Sequence, residues 1–396
     1  VTTDASVTRS PLSPRSLLPL ASICVPIGIA GALTMPFLAL FLSDEVHASS
    51  AALGAFMLVS PLAGLIASTL IGRLSDSRAI RRNILVAGAL AGALGAVVFA
   101  MVRDYWVLLA VSITLVAISS CLLAQMFAYT RQSLERGGNT SKASFGVSIM
   151  RTLISVAWVG GPPLAALLVS ETGFEGLYFA AAALFLVVAL MSARMPELGL
   201  QPRAERETGG GTVRRQIVFA AAGLVLLQGG SALGVNAMPL FITDVLHGTT
   251  GDAGLVLGLC AALEIPLILW FGSLATRFDQ HRIVLLGGSF ALLYHTGILL
   301  TGAVWHVAVV QVLSATAIAA VMGVGLTYFQ SLAPDRPGFA TTLYANTLTV
   351  GIMLSGPLLG LARELGFRTA YLMSLVLAAL GVVSLFLGRT RRVTSD

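Results

Sequence analysis

The sequence predicts an all-α membrane protein of twelve transmembrane helices, arranged as two pseudo-symmetric six-helix bundles. Three observations lead there. Only 11% of the 396 residues are charged and 56% are apolar, whereas a soluble globular chain carries roughly 25% charge. The apolar residues fall in twelve long runs. The two halves of the chain echo each other at an offset of about 200 residues. The low charge excludes a cytosolic enzyme, a secreted domain and a disordered chain, because too few polar groups exist to cover a water-facing surface.

A bilayer core of roughly 30 Å needs about 20 apolar residues per helix. The runs that satisfy this are 17–42, 50–74, 82–102, 105–131, 143–170, 174–195, 215–243, 251–276, 282–303, 305–331, 338–365 and 367–388. They are too long for strands and do not alternate. The first run follows a polar tail with Arg9 and Arg15 and has no small-residue cleavage site, so it reads as the first span rather than a removable signal. The polar segment 196–214, with Pro196, Pro202 and Gly209–Gly211, reads as a linker. The expected organisation is a cytoplasmic tail (1–16), an N-terminal bundle (17–195), the linker (196–214), a C-terminal bundle (215–388) and a second cytoplasmic tail (389–396).

Basic residues set the orientation. With both termini cytoplasmic, 20 of the 24 lysines and arginines fall inside, three (Arg103, Arg363, Arg368) fall outside, and Arg151 lies within a span. That asymmetry is a positive-inside signal. It also accounts for the net charge of +6, which faces anionic headgroups rather than nucleic acid. Cys24, Cys121 and Cys260 all lie in apolar runs, so neither a disulfide framework nor a zinc motif is implied.

The repeat is an ordered set of matches. Met35-Pro36 answers Met238-Pro239, and Leu40-Phe41-Leu42-Ser43-Asp44 answers Leu240-Phe241-Ile242-Thr243-Asp244. Gly54 and Gly72 answer Gly254 and Gly272, and Gly161-Pro162 answers Gly356-Pro357. Trp106 and Trp305 each open a span at the outer face, where an aromatic belt belongs. Two like halves around a central site are a transporter architecture. Channels and membrane enzymes do not require it, and no nucleophile–base pair or metal cluster is visible in the sequence. Gly209-Gly210-Gly211 lacks the Lys-Ser/Thr of a nucleotide-binding loop, so ATP bound by this chain is not the energy source.

The loop after the second span reads Gly72-Arg73-Leu74-Ser75-Asp76-Ser77-Arg78, then Arg81-Arg82. It resembles the loop motif of the major facilitator superfamily, in which the acid acts as a latch. The resemblance implies that Asp76 engages a helix N-terminus and basic partners of the other half and holds the cytoplasmic side shut. The second copy, Gly272-Ser273-Leu274-Ala275-Thr276-Arg277, has lost the acid.

Within that superfamily the chain resembles the bacterial sugar efflux transporters. The resemblance is carried by Trp158-Val159-Gly160-Gly161-Pro162-Pro163-Leu164-Ala165, Leu263-Glu264-Ile265-Pro266 and Ala340-Thr341-Thr342-Leu343 with Asn346, together with Gln125, Arg131 and Gln330. Ala237 departs from it, standing where the family has a polar residue. The glycine-rich fifth span also resembles the antiporter signature of drug–proton exchangers. The implied function is sugar export across the bacterial plasma (inner) membrane by alternating access, coupled to inward proton movement. A drug–proton antiporter of the same fold is the alternative. The expected partners are a sugar, protons and the lipid bilayer, with the chain acting as a monomer and without cofactor or metal.

Charges at a helix centre cost about 2.5–3.5 kcal/mol on insertion scales, so Arg151 and Glu264 stand out. At 1.5 Å per residue, Arg151 lies roughly 13 Å from the inner edge and Glu264 roughly 20 Å, an offset of about 7 Å. They are expected to be partners across the cavity, with Glu264 binding a proton or the sugar. A static ion pair, or an acid that only hydrogen-bonds hydroxyls, are the other readings. Gln125, Gln228, Asn236, Gln330, Tyr344 and Asn346 supply donors and acceptors for a sugar. His295, in the ninth span, is expected to be structural and peripheral to the cavity. Pro36, Pro61, Pro162, Pro239, Pro266 and Pro357 interrupt span interiors and are expected to kink them and shape the gates.

Overall fold

The computed structural model describes residues 14–136, 140–198 and 215–388. Most of both expected tails and of the linker therefore lie outside the described residues. The described residues form helices joined by short turns.

Helix α1 comprises Pro14–Thr34 and its continuation Leu38–Asp44, with Pro36 in the turn between them. There follow α2 (Ser50–Ser77), α3 (Arg81–Met101) and α4 (Tyr105–Glu135). The expected fifth and sixth spans form one helical run, Thr140–Ala193, broken only at Gly173. There φ is 69° and ψ −175°, a backbone conformation that favours glycine. Residues 140–172 are α5 and 174–193 are α6. The second half holds α7 (Arg215–Val245), α8 (Thr250–Leu274), α9 (Gln280–Leu299), α10 (Val304–Leu332), α11 (Pro337–Leu365) and α12 (Arg368–Leu387). Eleven continuous helical stretches thus give twelve crossings.

The duplication extends into backbone detail. After Asp44 and Asp244 the chain turns at His47 and His247, which both have positive φ, 51° and 54°. Each turn closes with the same hydrogen bond, Ala48 N–H to the Leu42 carbonyl and Gly248 N–H to the Ile242 carbonyl, both 2.9 Å. Ser49 and Thr249 then cap α2 and α8, each accepting from a backbone N–H three residues on.

In the N-terminal half α1 packs on α5, and α3 packs on α6. In the C-terminal half α7 packs on α11 and α12, and α10 packs on α8 and α9. Large apolar side chains such as Leu70, Leu94, Leu269, Leu300 and Phe386 point outward, as a lipid solvent requires. Trp106 and Trp305 are 73% and 65% exposed at the same end of the molecule, opposite the basic loops.

Candidate functional site

The halves meet mainly through two helix pairs, α2 with α11 and α5 with α8, and through a smaller contact of the Leu38–Asp44 continuation of α1 with α7. The two main pairs meet toward the end away from the basic loops, and both depend on small residues. A Cβ built on Gly254 would stand 2.6 Å from the Pro162 carbonyl oxygen and 2.6 Å from Ala166 Cβ. One on Gly356 would stand 2.7 Å from the Leu58 nitrogen, and one on Gly360 would stand 2.5 Å from the Ser50 carbonyl oxygen. Arg363 of α11 reaches across to donate to the Ala48 carbonyl. Asp244 and Arg363 stand close enough there to act electrostatically on Asp44. At the basic end Gly72 and Gly272 have no neighbour within 4 Å of such a Cβ. Among the described residues, the close approaches between the halves gather at the far end.

The three arginines outside the basic set all have work at the closed end. Arg103 pairs with Glu45 at 3.0 Å and caps α3 through the Phe99 and Ala100 carbonyls. Arg368 caps α9 through the carbonyls of Leu299 and Thr301. Arg103 lies over the Phe41 ring and Arg368 over Phe241, so the repeated phenylalanines carry matching cation–π contacts.

Between the halves lies a cavity of about 590 Å³, a size that suits a small organic ligand. Its C-terminal wall shows helical spacing: Gln228, Ser231, Ala232, Val235 and Asn236 on α7; Ala261, Glu264, Ile265 and Ile268 on α8. Met35, Pro36, Ile154, Ser155 and Trp158 supply the N-terminal wall. Glu264 is the one acidic or basic residue, histidine aside, in the lining. It stands 14 residues into α8, roughly 21 Å along a helix of about 37 Å, near the middle of the span. Its carboxylate accepts from the Cys260 thiol at 3.4 Å.

Of the expected substrate residues, Gln228, Asn236 and Glu264 line this cavity; Gln125, Arg151, Gln330, Tyr344 and Asn346 do not. Gln228 donates to Thr347 at 3.4 Å and Asn236 to Ser355 at 3.3 Å, so both tie α7 to α11. Gln125 accepts from Ser75 at 2.8 Å, and Arg81 donates to the same Ser75 hydroxyl at 3.1 Å. That amide braces the loop after α2 and is not placed for a ligand in this cavity. Gln330 donates to Thr341 at 3.3 Å, eight residues beyond the last α10 lining position but one and toward the basic end. Asn346 is exposed, and the Tyr344 hydroxyl donates to the Met322 carbonyl at 3.2 Å.

Three expectations need correction. Arg151 does not pair with Glu264 in this conformation: its guanidinium lies over Phe127 at 5.8 Å and acts on Tyr344 of the other half. Counting residues along each helix fixes height but not the lateral gap across an open cavity. Asp76 pairs at 3.3 Å with Arg81 of its own half, and among the described residues no ion pair joins it to the other half. In this conformation the acid is held by its own half, and the latch across the halves is not formed among the described residues. His295 is not peripheral: it lines the cavity with Tyr294 and Ser314, because a recess opens between α7, α9 and α10. The lining is also more apolar than the predicted set of amides. Tyr294, Ser314 and Ser231 are polar wall residues that sequence reasoning missed, and nothing in the pattern of their apolar helices singled them out.

The family model of the Major Facilitator Superfamily matches residues 20–355 and 218–396. The chain is 36% identical over 345 residues to Sugar efflux transporter B of Salmonella typhimurium, covering 85% of this chain and 86% of the relative. It is 34% identical to Sugar efflux transporter A of Dickeya chrysanthemi, covering 89% and 90%. Among solved structures, the nucleoside transporter NupG superposes with a TM-score of 0.76 at 16% identity, covering 94% of this chain and 98% of that one. A bacterial homologue of the lysosomal transporter Spinster, in an inward-facing and occupied conformation, gives 0.74 at 13% identity, covering 96% and 97%.

Proposed function

The chain belongs to the sugar efflux transporters of the major facilitator superfamily, and from that premise we propose that it exports sugars across the bacterial inner membrane by alternating access, coupled to inward proton movement. The basic end is cytoplasmic, as are both termini, and 199–214 belong to the cytoplasmic linker between the bundles. The described conformation is then open to the cytoplasm, ready to load. The observation that carries the reading is Glu264: a lone acid at mid-span in a cavity between two halves whose close contacts gather at the far end. Such an acid is costly to keep in a membrane unless it serves transport. In the outward-open state Glu264 takes a proton from outside; in the inward-open state it gives that proton to the cytoplasm as substrate loads. Gln228 and Asn236 hydrogen-bond hydroxyls, and Trp158 faces them from the other half.

A second reading, drug–proton antiport, draws on the apolar share of the wall, in which Met35, Trp158 and Met322 line the cavity along with that single acid. Purified protein in liposomes with an imposed pH gradient, offered labelled sugars and cationic drugs, separates the two. Gradient-driven sugar movement in the wild type, lost in Glu264→Gln while downhill exchange survives, is the expected result. Drug movement without sugar movement overturns the sugar assignment, and full coupling in Glu264→Gln overturns the proton role.

A further inference from the structure

The cavity does not stop at the boundary between the halves. It continues into the C-terminal half as the recess between α7, α9 and α10, walled by Ser231, Val235, Ala291, Tyr294, His295 and Ser314. His295 is 2% exposed, and its Nδ1 has no hydrogen-bond partner. Buried polar atoms in folded proteins almost always have one. The imidazole is held between the rings of Tyr294 at 5.0 Å and Tyr371 at 6.3 Å, with its Cε1 turned to Gly234. The Tyr371 hydroxyl donates to the Gly234 carbonyl at 3.0 Å, so that neighbour is already engaged elsewhere. The Tyr294 hydroxyl lies beside the side chains of Ser314 and Gln311.

We propose that this recess is a sugar subsite in which His295 hydrogen-bonds a substrate hydroxyl, with Tyr294 and Ser314 completing the set. The chemistry selects the ligand class. A neutral imidazole donates from one nitrogen and accepts at the other, and the tyrosine and serine hydroxyls each do both. A carbohydrate hydroxyl likewise donates and accepts, so it satisfies such a set without bringing charge. Lysine and arginine are absent from the cavity lining, so an anionic group finds no counter-charge in the recess. The α9 pair therefore discriminates between sugars, while Glu264 is left to the proton. The inference rests on the sugar-export reading and adds to it the residues that choose the sugar.

The test is equilibrium binding to the purified full chain. The probes are methyl β-glucoside, methyl β-galactoside and their monodeoxy analogues, measured against wild type, His295→Phe, His295→Gln and Tyr294→Phe. Loss of the imidazole nitrogens is expected to weaken the parent glycoside about tenfold. It should also abolish the preference for that parent over one monodeoxy analogue, and His295→Gln should restore part of the preference. A His295→Phe protein that ranks the analogues as wild type does, whether its affinity is kept or uniformly lowered, overturns the inference and leaves sugar export standing. Should His295→Phe not fold, the same ranking read in Tyr294→Phe decides in the same way. A wild type that binds no probe in the panel overturns both the inference and the reading it rests on.

Discussion

Gly254→Ala is expected to push the transporter toward its outward-open state. In the closed outer contact, the new Cβ would stand 2.6 Å from both the Pro162 carbonyl oxygen and Ala166 Cβ. Ordinary carbon contacts begin near 3.5–4.0 Å, so α5 and α8 must separate locally by about 1 Å. Neither obstacle is the tip of a flexible side chain. Overpacking of this kind costs about 1–3 kcal/mol, which lowers the ratio of outer-closed to outer-open molecules by about 5–150-fold. The substitution is at an interface that the alternate state breaks, so the cost falls on one conformation. Accessibility measures it. In a background with Cys24, Cys121 and Cys260 changed to alanine, Ser155→Cys places a thiol on the cavity wall. A membrane-impermeant maleimide added outside should label this thiol at least fivefold faster once Gly254→Ala is present. Gly72→Ala, whose Cβ meets nothing within 4 Å, should give no such increase. Equal outside labelling with and without Gly254→Ala, in a protein of unchanged thermal stability, refutes the assignment of the closed end.

Arg363→Ala removes the donor that spans the halves to the Ala48 carbonyl; a charged hydrogen bond contributes about 1.5–3 kcal/mol, and outside labelling of the same thiol should rise severalfold. Asp76→Asn weakens a pair in which the carboxylate is exposed and the Arg81 side chain is mostly buried; with the acid solvated the loss is about 0–1 kcal/mol, so the melting temperature should barely move. Net export should nevertheless fall severalfold if Asp76 grips the other half in the outward-open state. His47→Gly and His247→Gly relieve positive φ at both turns. Left-handed backbone costs a side-chain-bearing residue about 1–2 kcal/mol, so each variant should unfold at a temperature at least 1 °C above wild type, read by fluorescence-detected melting.

The twelve crossings were readable because span length and lysine and arginine placement are local properties of the chain. Even the fused α5–α6 run was resolved in sequence, since Gly173 sits where the polar break falls. The wall of the cavity was harder to read. A span that is apolar all round has no face marked for the core, so nothing in α9 alone says that Tyr294 and His295 turn inward. Gln125 misled for the complementary reason: a polar residue in a span signals a partner, and its partner is Ser75 rather than a ligand. The Arg151–Glu264 pairing failed on a property no single sequence carries, the conformation in which the halves are caught. The matching backbone at His47 and His247 was within reach, since the repeat runs three residues past Asp44 and Asp244.

The two copies have parted company in a way that explains why both are needed. The N-terminal copy keeps the acid of the loop motif, Asp76, and the C-terminal copy has Thr276 at the corresponding place. The C-terminal copy carries the cavity acid and the polar recess, whereas the N-terminal wall is Met35, Pro36, Ile154, Ser155 and Trp158. On the proposed reading, the first half carries the gating acid and the second the recognition site. What remained alike is the far-end contact: paired small residues, matching turns after Asp44 and Asp244, and an arginine over each repeated phenylalanine. On the proposed alternating-access reading, that is the part of the molecule that closes symmetrically, as each half swings against the other about the same midline. On that reading, symmetry persists where the proposed motion requires it and is lost where the proposed handling of substrate and proton needs different chemistry on the two sides.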